Sequence, residues 1–327
     1  MEKQDDLTLM KPRSYRRVLA AGFKLYTENF RRLFKASWQM AILYALSCGA
    51  LGTLLSIKLP EITVMIMQQI QFTQTISLEL LQHYYLIGAE MLLLLILTIA
   101  TLCLGSATIL NKLSEHRQTG AITMPPRWLS ATPRLMGRTL KGVFLTLLVT
   151  FLPLLAFIGT LALAETLSTQ FTMRHITTIV ATFCLLSLII AMLALPLMHV
   201  LMRYIMEPSQ GYWRTLANCY PQGLSHWGLL FLVFFVSTLL VQLTALIIMM
   251  PSHILNFANQ QAQAGLLIGD PLGMPSYIMP LTFGTYMLCS FLEFYISQVT
   301  LVHNYYLYGS IETQEKEKNH EENTSIQ

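Results

Sequence analysis

Six long apolar segments recur along this chain, and polar stretches separate them. Each exceeds the roughly 20 mostly apolar residues that an α-helix needs to cross the hydrocarbon core of a bilayer. Single runs of this length satisfy their backbone groups in lipid only as helices, so the pattern predicts an all-α, polytopic membrane protein with six transmembrane helices. The predicted spans are Ala36–Ile57, Tyr84–Leu110, Gly142–Glu165, Ile176–Met202, Trp227–Met250 and Leu281–Tyr306.

The segment before the first span, residues 14–35, has the pattern of an amphipathic helix. Aromatic and aliphatic residues recur at helical spacing on one side, and basic residues occupy the other side. A helix of this kind can lie in the cytoplasmic interface with its basic side among anionic lipid headgroups. We therefore expect an N-terminal interfacial helix that binds anionic lipid or orients the first span. Its basic residues are Arg16, Arg17, Lys24, Arg31 and Arg32.

The basic residues are distributed unevenly between the two sides of the predicted bundle. Of the 21 Lys and Arg residues, all but Lys58 and Arg174 fall before the first span, in the second and fourth loops, or after the last span. Loops rich in Lys and Arg remain cytoplasmic, so both termini are expected inside the cell. This rule also explains the net charge of +4, and we expect no nucleic-acid partner.

The composition supports the same class of protein. Hydrophobic residues make up 54% of the chain and charged residues 12%, against about 25% charged residues in soluble domains. We expect one membrane domain over residues 14–308, which includes the interfacial helix. A cytoplasmic N-terminal tail, residues 1–13, precedes it. The polar, Glu-rich tail, residues 309–327, is expected to be disordered.

Polar side chains follow one face of the last predicted span. Glu293 lies near the middle of that span, where a charge costs at least roughly 2.5–3.5 kcal/mol on insertion scales, so such residues usually face the bundle interior. The spacing i, i+4, i+7, i+11, i+14, i+18 places the whole set on one helix face. Gln242 in the fifth span lies at similar depth and is a possible partner. The members of this polar stripe are Tyr286, Ser290, Glu293, Ser297, Thr300 and Asn304.

Three interpretations of the polar stripe are open from the sequence. It can line a path for a substrate or for protons, it can hydrogen-bond neighbouring helices, or it can coordinate a lipid headgroup. Hydrogen bonds between membrane helices contribute only about 0.6 kcal/mol each on average, yet they are common.

Signatures of catalysis and of metal binding are absent from the sequence. It has no G-x-x-x-x-G-K-[ST] and no H-E-x-x-H, and its aspartates are Asp5, Asp6 and Asp270. None of the five cysteines forms a C-x-x-C pair, and four of them fall within predicted spans. We therefore expect neither an enzyme nor a metal or other cofactor.

The two ends of the chain carry a resemblance. Tyr15-Arg16-Arg17-Val18-Leu19 and the following Lys24–Leu33, with the aromatic close Val302–Tyr308, resemble uncharacterised bacterial six-helix membrane proteins. These families group near the membrane domain of glycerophosphodiester phosphodiesterases. The resemblance implies six helices and a bacterial cytoplasmic (inner) membrane, and it supplies no active-site residues.

Three functions are compatible with these observations. The first is a non-enzymatic membrane component that binds lipid or unidentified partner proteins and supports upkeep of the cell envelope. The alternative is a small-solute permease that uses the polar stripe around Glu293. A third is a lipid-modifying enzyme, which requires several titratable groups to gather at one interface.

Overall fold

The computed structural model describes residues 8–73, 78–124, 133–167, 173–267 and 275–325, and these residues form seven α-helices. All six predicted spans fall in separate helices. The helices are α1 (Tyr15–Thr73), α2 (Leu78–Thr119), α3 (Pro133–Leu167), α4 (Met173–Met206), α5 (Tyr212–Ser225), α6 (Trp227–Leu267) and α7 (Ile278–Ser325).

Five helices of the described part are long and apolar enough to cross a membrane, which makes this chain a multi-pass α-helical membrane protein. They are α1, α2, α4, α6 and α7. The remaining predicted span, residues 142–165, lies on α3, and its side chains beyond residue 151 are outside the described part. Pro60, Pro196 and Pro251 lie within membrane helices, where neighbouring helices can satisfy the freed backbone groups.

The expected interfacial helix is the beginning of α1 and continues into the first span without a break. No proline or glycine occurs between Gly22 and Gly49, so nothing in the sequence ends the helix there. Part of its apolar side is buried in protein, with Val18 and Leu33 fully buried, whereas Phe23 and Phe30 are exposed. The Tyr26 hydroxyl donates a hydrogen bond to the carbonyl oxygen of Tyr295 in α7 at 2.6 Å. The helix is therefore continuous with the first span, and contact of its exposed aromatic side chains with lipid stays a prediction.

The C-terminal tail also differs from the expectation. Helix α7 continues to Ser325, and its residues 309–312 are buried. Ser310 and Ile311 are fully covered, and the side chain of Glu312 is nearly so. Contacts with the N-terminal segment and with α4 therefore order a stretch whose composition alone is typical of disorder.

Close packing of α1 against α7 forms the centre of the fold. Small residues on α1 allow this approach: a methyl group added at Gly52 would lie 2.6 Å from the ring of Tyr286, and one at Gly49 would lie 3.2 Å from Phe283. On α2, Gly105 lies in the same way against Phe294. Small residues at helix interfaces are the usual means of tight association in membranes.

Helix α7 also contacts α2, α4, α5 and α6, so it is the central element of the bundle. The short helix α5 packs mainly on α4 through a buried face spaced i, i+3, i+7, i+11. The residues of that face are Tyr212, Thr215, Cys219 and Gly223. Helix α4 is thereby placed between α3 and α5 on one side and α6 and α7 on the other.

Candidate functional site

The N-terminal half of the predicted polar stripe, which comprises Tyr286, Ser290 and Glu293, faces α1. The side chain of Ser290 is buried and lies beside Cys48 and Tyr44 of α1. Glu293 is half-buried beside the same two residues. Tyr286 packs on a glycine of α1, as described above. These three stripe residues thus lie in the contact between α1 and α7.

The C-terminal half of the stripe, which comprises Ser297, Thr300 and Asn304, faces α6 or bonds within α7. The Ser237 hydroxyl of α6 donates a hydrogen bond to Thr300 Oγ1 at 3.2 Å. Ser297 donates to the carbonyl oxygen of Phe294 at 2.7 Å, and Asn304 is half-buried. The stripe is therefore divided between two neighbouring helices, which is the arrangement expected of hydrogen-bonded helix packing.

Gln242 is not the partner of Glu293. Its side chain is exposed, and no hydrogen bond joins these two residues of the described chain. The physical reason is rotational: five residues of α-helix turn about 140°, so Gln242 points away from the side on which Ser237 meets α7. Gln242 instead lines a groove between α4 and α6.

The basic residues at the start of α1 have different environments. Arg16 is exposed, hydrogen-bonds the Tyr15 hydroxyl through Nε at 3.0 Å and lies over that ring. Arg17 and Lys24 line a small cleft of about 140 Å³ together with Lys11. Their predicted contact with anionic lipid remains a prediction.

Two further basic residues lie on the next turns of α1. Arg31 is exposed. Arg32 donates hydrogen bonds to Asn29 Oδ1 at 2.9 Å and to the carbonyl oxygen of Ile122 at 2.8 Å. Arg32 therefore joins α1 to the segment that follows α2, a structural contact that the sequence pattern does not reveal.

An ionic cluster lies where α2, α4 and α7 meet, and the sequence analysis does not predict it. Arg203 Nη1 lies 2.7 Å from Glu312 Oε1, and its Nε lies 3.3 Å from Glu207 Oε2. Arg117 of α2 lies 3.7 Å from Glu207. His199 has a fully buried side chain with its Nε2 4.0 Å from Glu312 Oε1. His199, Arg203 and Glu207 follow i, i+4, i+8, which is a usable signal of one polar face on α4.

Aromatic hydroxyl groups extend the ionic cluster. Tyr308 donates to Glu207 Oε1 at 3.0 Å, and Tyr305 lies 3.0 Å from His116 Nδ1. Both tyrosines are fully buried. The cluster is therefore a packed junction of three helices.

An arginine of α3 caps the C-terminal end of α4. Arg138 donates to the carbonyl oxygens of Tyr204, Glu207 and Gln210, at 2.7, 2.8 and 2.8 Å respectively. These oxygens lack partners within the helix, and a cation next to them is favourable. Burial lowers the pKa of Arg138 from its ordinary value, yet an arginine remains charged at physiological pH.

Ser237 and His303 resemble the nucleophile and base of a hydrolase, because Ser237 Oγ lies 2.7 Å from His303 Nδ1. Both side chains are buried, however, with exposed fractions of 1% and 0%. Gly22 of α1 packs directly on the His303 ring, and the edge-to-face ring of Phe23 lies 4.6 Å away. The pair joins α6 to α7 and has no access for a substrate. No group of three or more metal-ligating side chains occurs in the part of the chain that the structure describes.

Two open apolar grooves flank α4. The α4–α5 groove, of about 420 Å³, lies between α3, α4 and α5 and is lined by Val149, Ile190, Leu197, Ala217 and other mostly apolar residues. The α4–α6 groove, of about 370 Å³, is lined by Leu188, Phe231, Phe235, Leu239 and Gln242, among others. Neither groove is lined by a residue of the polar stripe.

Polar groups at the edge of the α4–α5 groove are already hydrogen-bonded within the protein. Thr150 donates to the carbonyl oxygen of Thr146 at 2.9 Å, and Tyr220 donates to that of Leu193 at 3.1 Å. The groove therefore presents an apolar surface to its surroundings. A hydrocarbon chain fits such a surface, whereas a polar solute would find few free hydrogen-bonding groups.

No protein-family model, no curated protein and no solved structure matches this chain.

Proposed function

We propose that this chain is a non-enzymatic component of a bacterial cytoplasmic membrane that binds membrane lipid in the α4–α5 groove and supports upkeep of the cell envelope. The groove itself is the observation that carries the proposal. It is open, apolar and formed by a membrane helix, and its volume suits part of an acyl chain.

The charge near the groove supports a lipid with an anionic headgroup. Arg214 is exposed on α5 and precedes Ala217 and Pro221, two groove-lining residues, by three and seven positions. That spacing places the three residues on one helix face. A basic residue beside an apolar groove is a common arrangement for anionic headgroups.

The packing of Ser290 and Glu293 against α1 argues against the permease alternative. A permease requires a hydrated path to Glu293, whereas the residues around Glu293 pack against Tyr44 and Cys48. The buried Ser237–His303 pair argues in the same way against an intramembrane enzyme.

The contact between the two ends of the chain supports six spans with both termini on one side. Arg13 and Ser310 are hydrogen-bonded, so they lie on the same side of the membrane. An odd number of crossings between them would separate them. The five described membrane helices alone make an odd number, so we infer that α3 is the sixth crossing.

Lipid identification after purification from native membranes tests the proposed function. The change is Ala217→Trp, which fills the α4–α5 groove, and the matched control is Ala89→Trp, at an exposed position on α2. We expect native mass spectrometry to show anionic phospholipid on the unmodified protein and on the control, and at least a tenfold loss on Ala217→Trp. Equal lipid retention by both variants would refute the groove as the binding site.

The topology has its own experiment. A cysteine introduced at residue 170, between α3 and α4, should react with an impermeant maleimide only from the side opposite to one introduced at Lys11. Labelling of both positions from the same side would show that α3 does not cross the membrane.

A further inference from the structure

Helix α6 carries an exposed stripe on its outer side, which we call the α6 seam. Its members Phe235, Leu239, Gln242, Leu246 and Met250 follow spacings of four, three, four and four residues, and all five are exposed. A stripe with spacings of three and four residues is the pattern by which two helices pack along a common line. It runs beside the α4–α6 groove, which three of its members also line.

Gln242 is the one polar member of the α6 seam. It lies near the middle of the membrane helix Trp227–Ala262, and its amide forms no hydrogen bond with any described residue. A polar group in hydrocarbon is costly when it has no hydrogen-bond partner, and polar residues in membrane helices normally meet one another.

The chemistry of the amide selects the partner. Lipid esters and headgroups lie at the membrane interface, so at mid-depth a lipid offers only hydrocarbon to Gln242. A glutamine amide has both donors and an acceptor, and two amides related by a two-fold axis can exchange a pair of hydrogen bonds. A single polar residue within an apolar seam is also the device that fixes register between paired helices.

We propose that the α6 seam is the contact surface for a second copy of this chain, with the Gln242 side chains of the two copies hydrogen-bonded to each other. The apolar neighbours pack on either side of the amide pair, and the α4–α6 groove receives side chains of the second copy. This proposal is independent of lipid binding in the α4–α5 groove.

Disulfide cross-linking in native membranes tests the geometry. Single cysteines are introduced at Leu239 and Leu246, on the seam, in a background in which exposed Cys184 is replaced by serine. The matched controls are Leu240 and Ile247, which are off the seam. The exposed fractions are 46% and 54% on the seam and 42% and 72% for the controls, so accessibility alone does not favour the seam. We expect oxidation to give cross-linked dimers at the two seam positions and few at the controls. Equal cross-linking at all four positions overturns the proposal.

Dilution in liposomes tests the role of the amide. Gln242→Leu removes the hydrogen bonds and keeps the apolar seam, whereas Gln242→Asn keeps an amide. We expect Gln242→Leu to weaken the dimer about tenfold and Gln242→Asn to weaken it less, as measured by energy transfer between labelled copies.

An unchanged dissociation constant for Gln242→Leu overturns the proposal. The proposal is also overturned if the protein is a monomer at high protein-to-lipid ratio, or a monomer with lipid in the α4–α6 groove. The thermal unfolding midpoint of each variant shows that it is folded, and retention of lipid in the α4–α5 groove separates this test from that of the proposed function.

Discussion

The backbone N–H of Arg13 donates a hydrogen bond to Ser310 Oγ at 2.9 Å, and the same hydroxyl lies 3.2 Å from the carbonyl oxygen of Arg13. This reciprocal contact joins positions 297 residues apart. Leu9 packs on Gly309 next to it, and the Arg13 guanidinium lies over the ring of Tyr306. The short segment before α1 is thus held against α7 by backbone, aromatic and apolar contacts together.

Removal of one charge from the ionic cluster should destabilise the bundle. Glu312→Gln removes the 2.7 Å carboxylate partner of the half-buried Arg203 guanidinium, which keeps Glu207 as its second partner. Loss of a hydrogen bond between charged groups costs about 1.5–3 kcal/mol. We expect a clear fall in the thermal unfolding midpoint in detergent.

The control for this change is Glu321→Gln, at an exposed position further along α7, which should leave the midpoint unchanged. The double variant Arg203→Met/Glu312→Gln should be less destabilised than Glu312→Gln alone. If Glu312→Gln and Glu321→Gln unfold at the same temperature, the cluster does not stabilise the junction.

A methyl group at Gly22 should separate α1 from α7. Gly22→Ala places a Cβ atom into the His303 ring, and overpacking of this kind costs about 1–3 kcal/mol. Gly284→Ala on α7 is the matched control, because nothing lies within 4 Å of the added atom. Alanine is the better helix former by about 1 kcal/mol, so the control should be neutral or slightly stabilised. Thermal unfolding of the two variants distinguishes the cases, and equal midpoints would contradict close packing at Gly22.

The polar stripe should be inaccessible to water. Ser290→Cys is nearly isosteric and lies beside native Cys48, so both thiols report on the surroundings of Glu293. We expect neither to react with a charged methanethiosulfonate reagent, as read by peptide mass spectrometry. Asn218→Cys, exposed on α5, should react readily and is the positive control. Rapid modification of Cys48 in the folded protein would restore the permease interpretation.

Cys219 should require unusually alkaline conditions for alkylation. Burial raises the pKa of this thiol above its ordinary value, so the neutral form persists to higher pH. The thiolate is the nucleophile, so reaction with iodoacetamide should begin at higher pH than for the neighbouring Asn218→Cys, whose thiol is exposed. The measurement is the alkylation rate against pH, with an SDS-unfolded sample in which the two thiols should react alike. Identical pH profiles in the folded state would show that Cys219 is not buried.

The length of the apolar segments determined how much of the fold could be predicted. Each predicted span falls in its own helix, because a run of 22 or more apolar residues has few alternatives to a membrane helix. The beginning of α1 shows the limit of the pattern. An amphipathic face indicates a helix with one apolar side, but that side can be covered by lipid or by protein, and here α7 covers part of it.

Prediction of the site was limited because its contacts join residues that are far apart in the sequence. The spacing of the polar stripe was sufficient to place Glu293 and Ser290 on one face of α7, but not to show that this face meets α1. The pairing of Glu293 with Gln242 failed because equal depth on two helices does not specify their rotation. Glu312 lies in a stretch whose composition is typical of a solvated tail, and only the approach of Arg203 from α4 reveals its role.

The dependence of α1 on α7 also bears on how the protein is made. Helix α1 precedes α7 in the chain, so Gly22 and Tyr26 contact His303 and Tyr295 only after α7 has been synthesised and inserted. A nascent chain that ends before α7 would therefore present an unfinished surface to the membrane quality-control machinery. Packing of α1 in this bundle is thus completed only after α7 has been inserted.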